Sequence, residues 1–135
     1  MNCLADTHIL IRALKDDPKL SAKAREILLN KDNSIYYSFA NVWEVAIKHA
    51  LHKSSMTFSA QGFEKLCGLA GYIPLETSFR HAYMVETLKY ADSAPREHRD
   101  PFDRLLLAQA KAENMYFLTH DELIPFYDES CIVSV

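Results

Sequence analysis

Asp6, Glu44, Asp103 and Asp121, with Asp100 beside them, are acids placed where they can converge. Asp6 closes a short apolar run from Asn2 to Ala5, and Asp121 follows another, Met115 to Leu118, through Thr119-His120. Glu44 lies in the first turns of an amphipathic stretch that follows a β-rich one. Asp103 lies in the first turn of a stretch opened by Asp100-Pro101. Carboxylates held within a few ångströms repel one another unless something positive sits among them. Hard, oxygen-preferring Mg2+ or Mn2+ is the usual occupant, with waters and phosphate oxygens completing its shell. Two such ions ~3.5–4 Å apart activate a water and stabilise the leaving oxygen of a phosphodiester. The chemistry these residue types point to is metal-assisted phosphodiester hydrolysis.

Each acid also has a plainer explanation. Asp6 before Thr7 can simply N-cap a helix, and Asp100 before Pro101 reads as a structural N-cap. Glu44 and Lys48 form an i,i+4 pair in the favourable order, which taken alone suggests a surface salt bridge. Asp103 can complement a helix dipole, and Asp121 can begin a turn. No single acid decides the matter. Their joint placement does, and it depends on the elements that carry them.

Asn2 to Ala5 reads as a buried strand, and Ser34 to Phe39, rich in β-formers, as a second. Tyr72 to Leu75, Met115 to Leu118 and Cys131 to Val135 supply three more short candidates. Helical spacing recurs at Ile9, Leu10, Ala13 and Leu14, then at Ala24, Ile27 and Leu28 after a Ser21 cap. A third helix runs through Val42, Val45 and Leu51, capped by Ser38 or Asn41, and a fourth from Ser59 to Leu69, ended by Gly71. A fifth is expected from about Ser78 to Tyr90. The last opens at Asp100-Pro101 and carries Leu105, Leu106, Gln109 and Ala112 on one side. This alternation predicts an α/β fold with a mostly parallel central sheet flanked by helices on both faces. Function in such sheets gathers at the carboxyl ends of the strands. Asp6 and Asp121 are therefore expected on the same edge.

Composition sets the outer limits. One domain, residues 1–135, is expected from the length, since domains run to ~100–200 residues. The three glycines, Gly62, Gly68 and Gly71, build no phosphate-cradling loop, which excludes a P-loop or dinucleotide fingerprint. With 15 Lys+Arg against 18 Asp+Glu, the chain is no simple polycationic nucleic-acid binder. Without the five acids above, 13 would face 15 bases, so the mild acidity comes from one proposed pocket. Cys3, Cys67 and Cys131 have no CxxC pairing, and a reducing cytoplasm fits them best. The opening residues meet an acid at Asp6, and no stretch approaches ~20 apolar residues. A soluble protein without signal peptide or membrane span is expected.

At this point the residues match a family pattern. The chain resembles PIN-domain ribonucleases, and among them the VapC-like toxins of toxin–antitoxin pairs, over nearly its whole length. The motifs stand as Leu4-Ala5-Asp6-Thr7-His8-Ile9-Leu10-Ile11 and Ser38-Phe39-Ala40-Asn41-Val42-Trp43-Glu44-Val45-Ala46-Ile47-Lys48. They continue as His98-Arg99-Asp100-Pro101-Phe102-Asp103-Arg104, then Leu105-Leu106-Leu107-Ala108-Gln109-Ala110, and end in Leu118-Thr119-His120-Asp121. The resemblance implies a single PIN-like domain acting as a Mg2+/Mn2+-dependent endoribonuclease. It carries the four catalytic, metal-site carboxylates over to Asp6, Glu44, Asp103 and Asp121, with Asp100 ranked behind them. Thr7 and Thr119 match the supporting hydroxyls. It further implies a homodimer, a cognate antitoxin and an RNA substrate. Asn41 departs from the pattern, standing where a second serine is usual, as do Arg12 and Leu51-His52-Lys53-Ser54; these bear on groove shape and substrate choice.

Lys48, Lys53, Arg96, Arg99, Arg104 and Lys111 can follow an RNA backbone, although an exposed, solubilising loop explains Arg96 and Arg99 equally well. His98 and His120 are near enough in sequence to touch phosphate. His49 and His52 share a helical face but, with lysines beside them, are expected to be solvated rather than to hold zinc. Tyr36, Tyr37, Phe39 and Trp43 can stack bases, with core packing the better expectation for most of them. Two rival functions remain. One is a catalytically silent PIN-like module that binds RNA or protein. The other, a receiver-type phosphoryl acceptor at Asp6, lacks the second aspartate expected close after it.

Overall fold

β-branched and aromatic runs too short to stand alone find their partners in one sheet. In a computed structural model, which describes residues 1–51 and 55–135, the strands are β1 (Asn2–Ala5), β2 (Ser34–Ser38), β3 (Ile73–Leu75), β4 (Tyr116–Thr119) and β5 (Ile132–Ser134). They lie in the order β3-β2-β1-β4-β5, and every pairing is parallel. The sheet expected from the sequence as mostly parallel is thus parallel throughout the described residues. The chain winds outward from β1 to one edge, then returns to fill the other side. A crevice opens at such a reversal, beyond the carboxyl ends of the two central strands. Here those strands are β1 and β4.

Side chains alternate across these strands, and both faces are covered. Cys3, Ala5 and Leu118 join Ile9, Leu10, Val45 and Phe63 in one core. Leu4 and Phe117 join Leu106, Leu107 and Ile124 in the other. The first core packs α1 (Thr7–Leu14), α2 (Ala22–Leu29) and α4 (Ala60–Leu69); the second packs α6 (Pro101–Ala112). Between them runs α3 (Phe39–Leu51), which contributes Val45 to one core and Ala40 to the other. Among the described residues no helix is long and apolar enough to cross a membrane. Cys3, Cys67 and Cys131 are free thiols. Burial pushes the Cys67 thiol up to about 12, which keeps it protonated and unreactive.

Caps fall where residue chemistry places them. Ser21 accepts from Ala24 N–H, Ser59 from Gly62 N–H, and Gly71 takes a φ of +84° after α4. The β2–α3 junction uses both residues offered for it: the Ser38 hydroxyl accepts from Ala40 N–H, while Asn41 Oδ1 accepts from Ser38 N–H. The fifth helix departs from expectation. It spans only Phe79–Val85 as α5, because the Thr87 hydroxyl turns back to the Met84 carbonyl at 2.7 Å and Tyr90 leaves to bridge Tyr127. His52, Lys53 and Ser54 lie outside the described residues.

Candidate active site

Asp6 ends β1 and is 3% exposed. Its backbone N–H donates to the Leu118 carbonyl across the β1–β4 seam at 3.0 Å. Its Oδ1 caps α1 by accepting from Ile9 N–H at 3.0 Å, which leaves Oδ2 outside the cap. Asp121 is built alike: Oδ1 accepts from Leu123 N–H at 2.7 Å, and its own N–H donates to the buried Thr119 hydroxyl at 3.1 Å. Asp100 caps α6 as expected, Oδ1 accepting from the N–H groups of Phe102 and Asp103. One oxygen of each carboxylate is fixed by the backbone, which aims the group and leaves the other oxygen for a ligand.

These acids meet. Asp6, Asp100, Asp103 and Asp121 line one cleft of about 270 Å³ together with His8, Arg12 and His120. The sequence expectation that Asp6 and Asp121 share an edge holds. Asp103 is largely enclosed. Burial raises its carboxyl above the usual range; a hydrogen bond from His98 works the other way, and the charges of Asp100, Asp6 and Glu44 add to the rise. Asp103 therefore feels three neighbouring acids, the condition under which a cation is favoured. A larger cavity of about 530 Å³ lies at the start of β4, but its acid, Glu129, is already paired with Lys111 at 2.7 Å.

Glu44 sits differently from its three companions. It is 1% exposed, it does not line the cleft, and both its oxygens are engaged. Oε1 accepts from the Thr7 hydroxyl at 2.5 Å and Oε2 from Lys48 Nζ at 2.5 Å. The i,i+4 pair forms as its spacing suggests, but it is no surface bridge at the glutamate end, since only the lysine side chain, 37% exposed, reaches water. Asn41 completes the cradle, its Nδ2 donating to Thr7 Oγ1 at 3.0 Å and to the Ala5 carbonyl at 3.3 Å. Asn41 thus still hydrogen-bonds where a serine is usual, and reaches three groups at once.

Sequence spacing underrated His98. Its Nε2 stands 3.4 Å from Asp103 Oδ2 and its Nδ1 2.8 Å from the Tyr127 hydroxyl. One ligand atom each from His98, Asp103 and Asp121 lie within 4.8 Å of one another. Asp103 and Asp121, with the cleft carboxylates of Asp6 and Asp100, are oxygen donors that suit a hard divalent cation. The proximity of His98 to Asp103 in the chain was visible; Tyr127, 29 residues from His98, carried no spacing signal. His120 lines the cleft, and its Nδ1 finds no hydrogen-bond partner among the described residues.

The basic residues divide. Arg96 and Arg99 are exposed in the loop before α6, with Arg99 paired to Glu97. Arg104 is half-buried, and its Nε is enclosed without a hydrogen-bond partner among the described residues, while Lys111 is held by Glu129 and Thr87. The aromatics divide as well. Tyr37 is buried, but Phe39 and Trp43 are 59% and 49% exposed, so core packing does not account for them. Trp43 meets Phe102 edge-on at 5.1 Å.

Comparison with known proteins agrees with this fold. The VapBC2 complex of Rickettsia felis bound to a DNA fragment from its promoter contains a chain that superposes with a TM-score of 0.72 at 18% identity, covering 100% of this chain and 99% of that one. A toxin–antitoxin complex from Klebsiella pneumoniae gives 0.61 at 16% identity, covering 98% and 96%. No curated protein matches the chain by sequence. The PIN domain family model matches residues 3–128, and with nearly the whole chain inside that match, the protein belongs to the PIN domain family.

Proposed function

We propose that this protein is a Mg2+- or Mn2+-dependent endoribonuclease, one domain over residues 1–135, with Asp6, Asp103 and Asp121 as direct cation ligands. The observation that carries the reading is the cleft at the β1–β4 reversal, lined by these acids and Asp100. There Asp6, Asp100 and Asp121 each have one oxygen not used in capping, and the Asp103 carboxylate meets only His98 among the described residues. When bound, divalent cations there activate a water and neutralise charge on the leaving oxygen of the phosphodiester. Asp6, Asp103 and Asp121 would hold the cations; Asp100 is a helix cap that lines the same cleft. Glu44 acts through its charge and through Thr7, and Thr119 orients Asp121. Arg99 and Arg96 are the exposed cations that meet the RNA backbone, with Lys48, half-buried against Glu44, beside them.

One structural neighbour is described as a toxin–antitoxin complex and another as VapBC2 bound to a DNA fragment from its promoter, which supports the toxin role and a cognate antitoxin protein as partner. A homodimer in the cytoplasm completes the proposal. The test is cleavage of labelled RNA by purified protein, with and without EDTA, beside Asp6→Asn and Asp103→Asn. Cleavage that depends on metal and is lost in both variants is expected. Cleavage surviving chelation and both substitutions would refute the reading, and RNA retention without cleavage by the parent would leave a silent binding module.

A further inference from the structure

We propose that His98 is a positioning residue for Asp103, the middle link of a hydrogen-bonded chain that runs from Tyr127 to Asp103. The inference rests on the cation reading of the site given above. Its basis is a set of contacts among groups that are mostly enclosed. The His98 side chain is 4% exposed and Tyr127 is 5% exposed. Tyr90 packs beside both rings, 4.7 Å from Tyr127 and 6.2 Å from His98, and its hydroxyl donates to the Arg96 carbonyl at 2.9 Å. The loop that delivers His98 is thereby pinned, and the imidazole has little freedom to turn.

The direction of each bond follows from the donor inventory. An ionised carboxylate only accepts, so in the contact with Asp103 Oδ2 the imidazole Nε2 is the donor. The tyrosine hydroxyl then donates to His98 Nδ1, which lies 2.8 Å away. A neutral imidazole accepting at Nδ1 carries its proton on Nε2. That N–H faces Asp103 Oδ2 at 3.4 Å. A protonated Nε2 has no lone pair for a metal, so His98 serves the carboxylate rather than the cation. The contact is long for a charge-assisted hydrogen bond, which is usually ~2.7–2.9 Å. It restrains the carboxylate without occupying it, and the oxygen remains available to an ion. Groups that orient a metal ligand in this way typically change affinity by ~10–100-fold when removed.

The experiment is calorimetric titration of Mn2+ into the full-length, metal-stripped protein without RNA, so it does not depend on activity. His98→Ala is expected to weaken Mn2+ binding by ~10–100-fold. His98→Gln, which keeps an N–H donor near the Nε2 position, is expected to stay close to the parent. Tyr127→Phe is expected to weaken binding alone and to add nothing in the His98→Ala background, because its effect passes through the imidazole. Equal losses from Tyr127→Phe in both backgrounds would overturn the chain, as would an unchanged affinity in His98→Ala. A nitrogen hyperfine coupling in the Mn2+ spin-echo spectrum that disappears in His98→Ala would make His98 a ligand and overturn the positioning role. If His98→Ala does not fold, Tyr127→Phe and His98→Gln decide the question, the first by a loss and the second by its absence. A parent that binds no Mn2+ would sink the cation reading and this inference with it. A parent that binds while all variants match it would sink the inference alone.

Discussion

The hydroxyl of Thr7, at the start of α1, lies 2.5 Å from Oε1 of Glu44 on α3, a bond that spans 37 residues of sequence. It joins the first turn after β1 to the helix after β2, and both ends are buried. A buried carboxylate that loses a donor bears a desolvation cost, as does the Asn41 amide that donates to the same hydroxyl. Thr7→Val is therefore expected to destabilise the fold by ~1–3 kcal/mol, while Thr7→Ser retains most of the stability. Urea unfolding of the two variants checks this. Equal midpoints for Thr7→Val and the parent would show that the bond contributes nothing.

Asp103 gives a pH prediction for the metal-free protein. Burial, reinforced by Asp100, Asp6 and Glu44, raises its carboxyl above the unfolded value of 3.8 despite the hydrogen bond from His98. A raised folded value means that the protonated form contributes stability below pH 3.8, and that this stability is lost as pH rises through the folded value. Asp103→Asn cannot lose it. Metal-free melts from acid to neutral pH should show the variant level with the parent at the acid end and more stable above. A constant deficit at every pH would point instead to a structural role for the carboxylate.

Cation binding should stabilise the fold by mass action. An ion at about 100 times its dissociation constant adds ~2.7 kcal/mol, and each kcal/mol moves the melting temperature of a domain by ~2–8 °C. Mn2+ is thus expected to raise Tm by roughly 5 °C or more. EDTA should reverse the rise and Asp6→Asn should blunt it, while asparagine still caps α1. An unchanged melting curve with excess Mn2+ would count against the site.

Arg99 is the cleanest test of backbone contact, because its side chain is 82% exposed. Arg99→Ala should leave stability within about 0.5 kcal/mol. RNA affinity should fall for all sequences alike, and the slope of log affinity against log salt should flatten by about one contact. Fluorescence anisotropy at two salt concentrations reads both quantities. Identical slopes for variant and parent would place the phosphate path elsewhere.

The sequence by itself determined the elements and the acids. Asp6 and Asp121 were legible as strand-end residues because an apolar run bounded by a polar residue is a local signal. Asp100-Pro101 marked a helix start because capping involves only the next few residues. The parallel α/β class followed from the alternation of such segments. Tertiary structure decided which partner each acid received. Glu44 looked like half of a surface pair until the fold put Thr7 over one of its oxygens and enclosed the other against Lys48. Arg104 looked like a phosphate contact until the fold left it half-buried with its Nε enclosed. Phe39 and Trp43 looked like core and stand half in water. Periodicity reports which face of an element turns inward, but the side chains that meet at a sheet's carboxyl edge come from strands far apart in the chain. Their pairing is set by strand order and register, which no local pattern records.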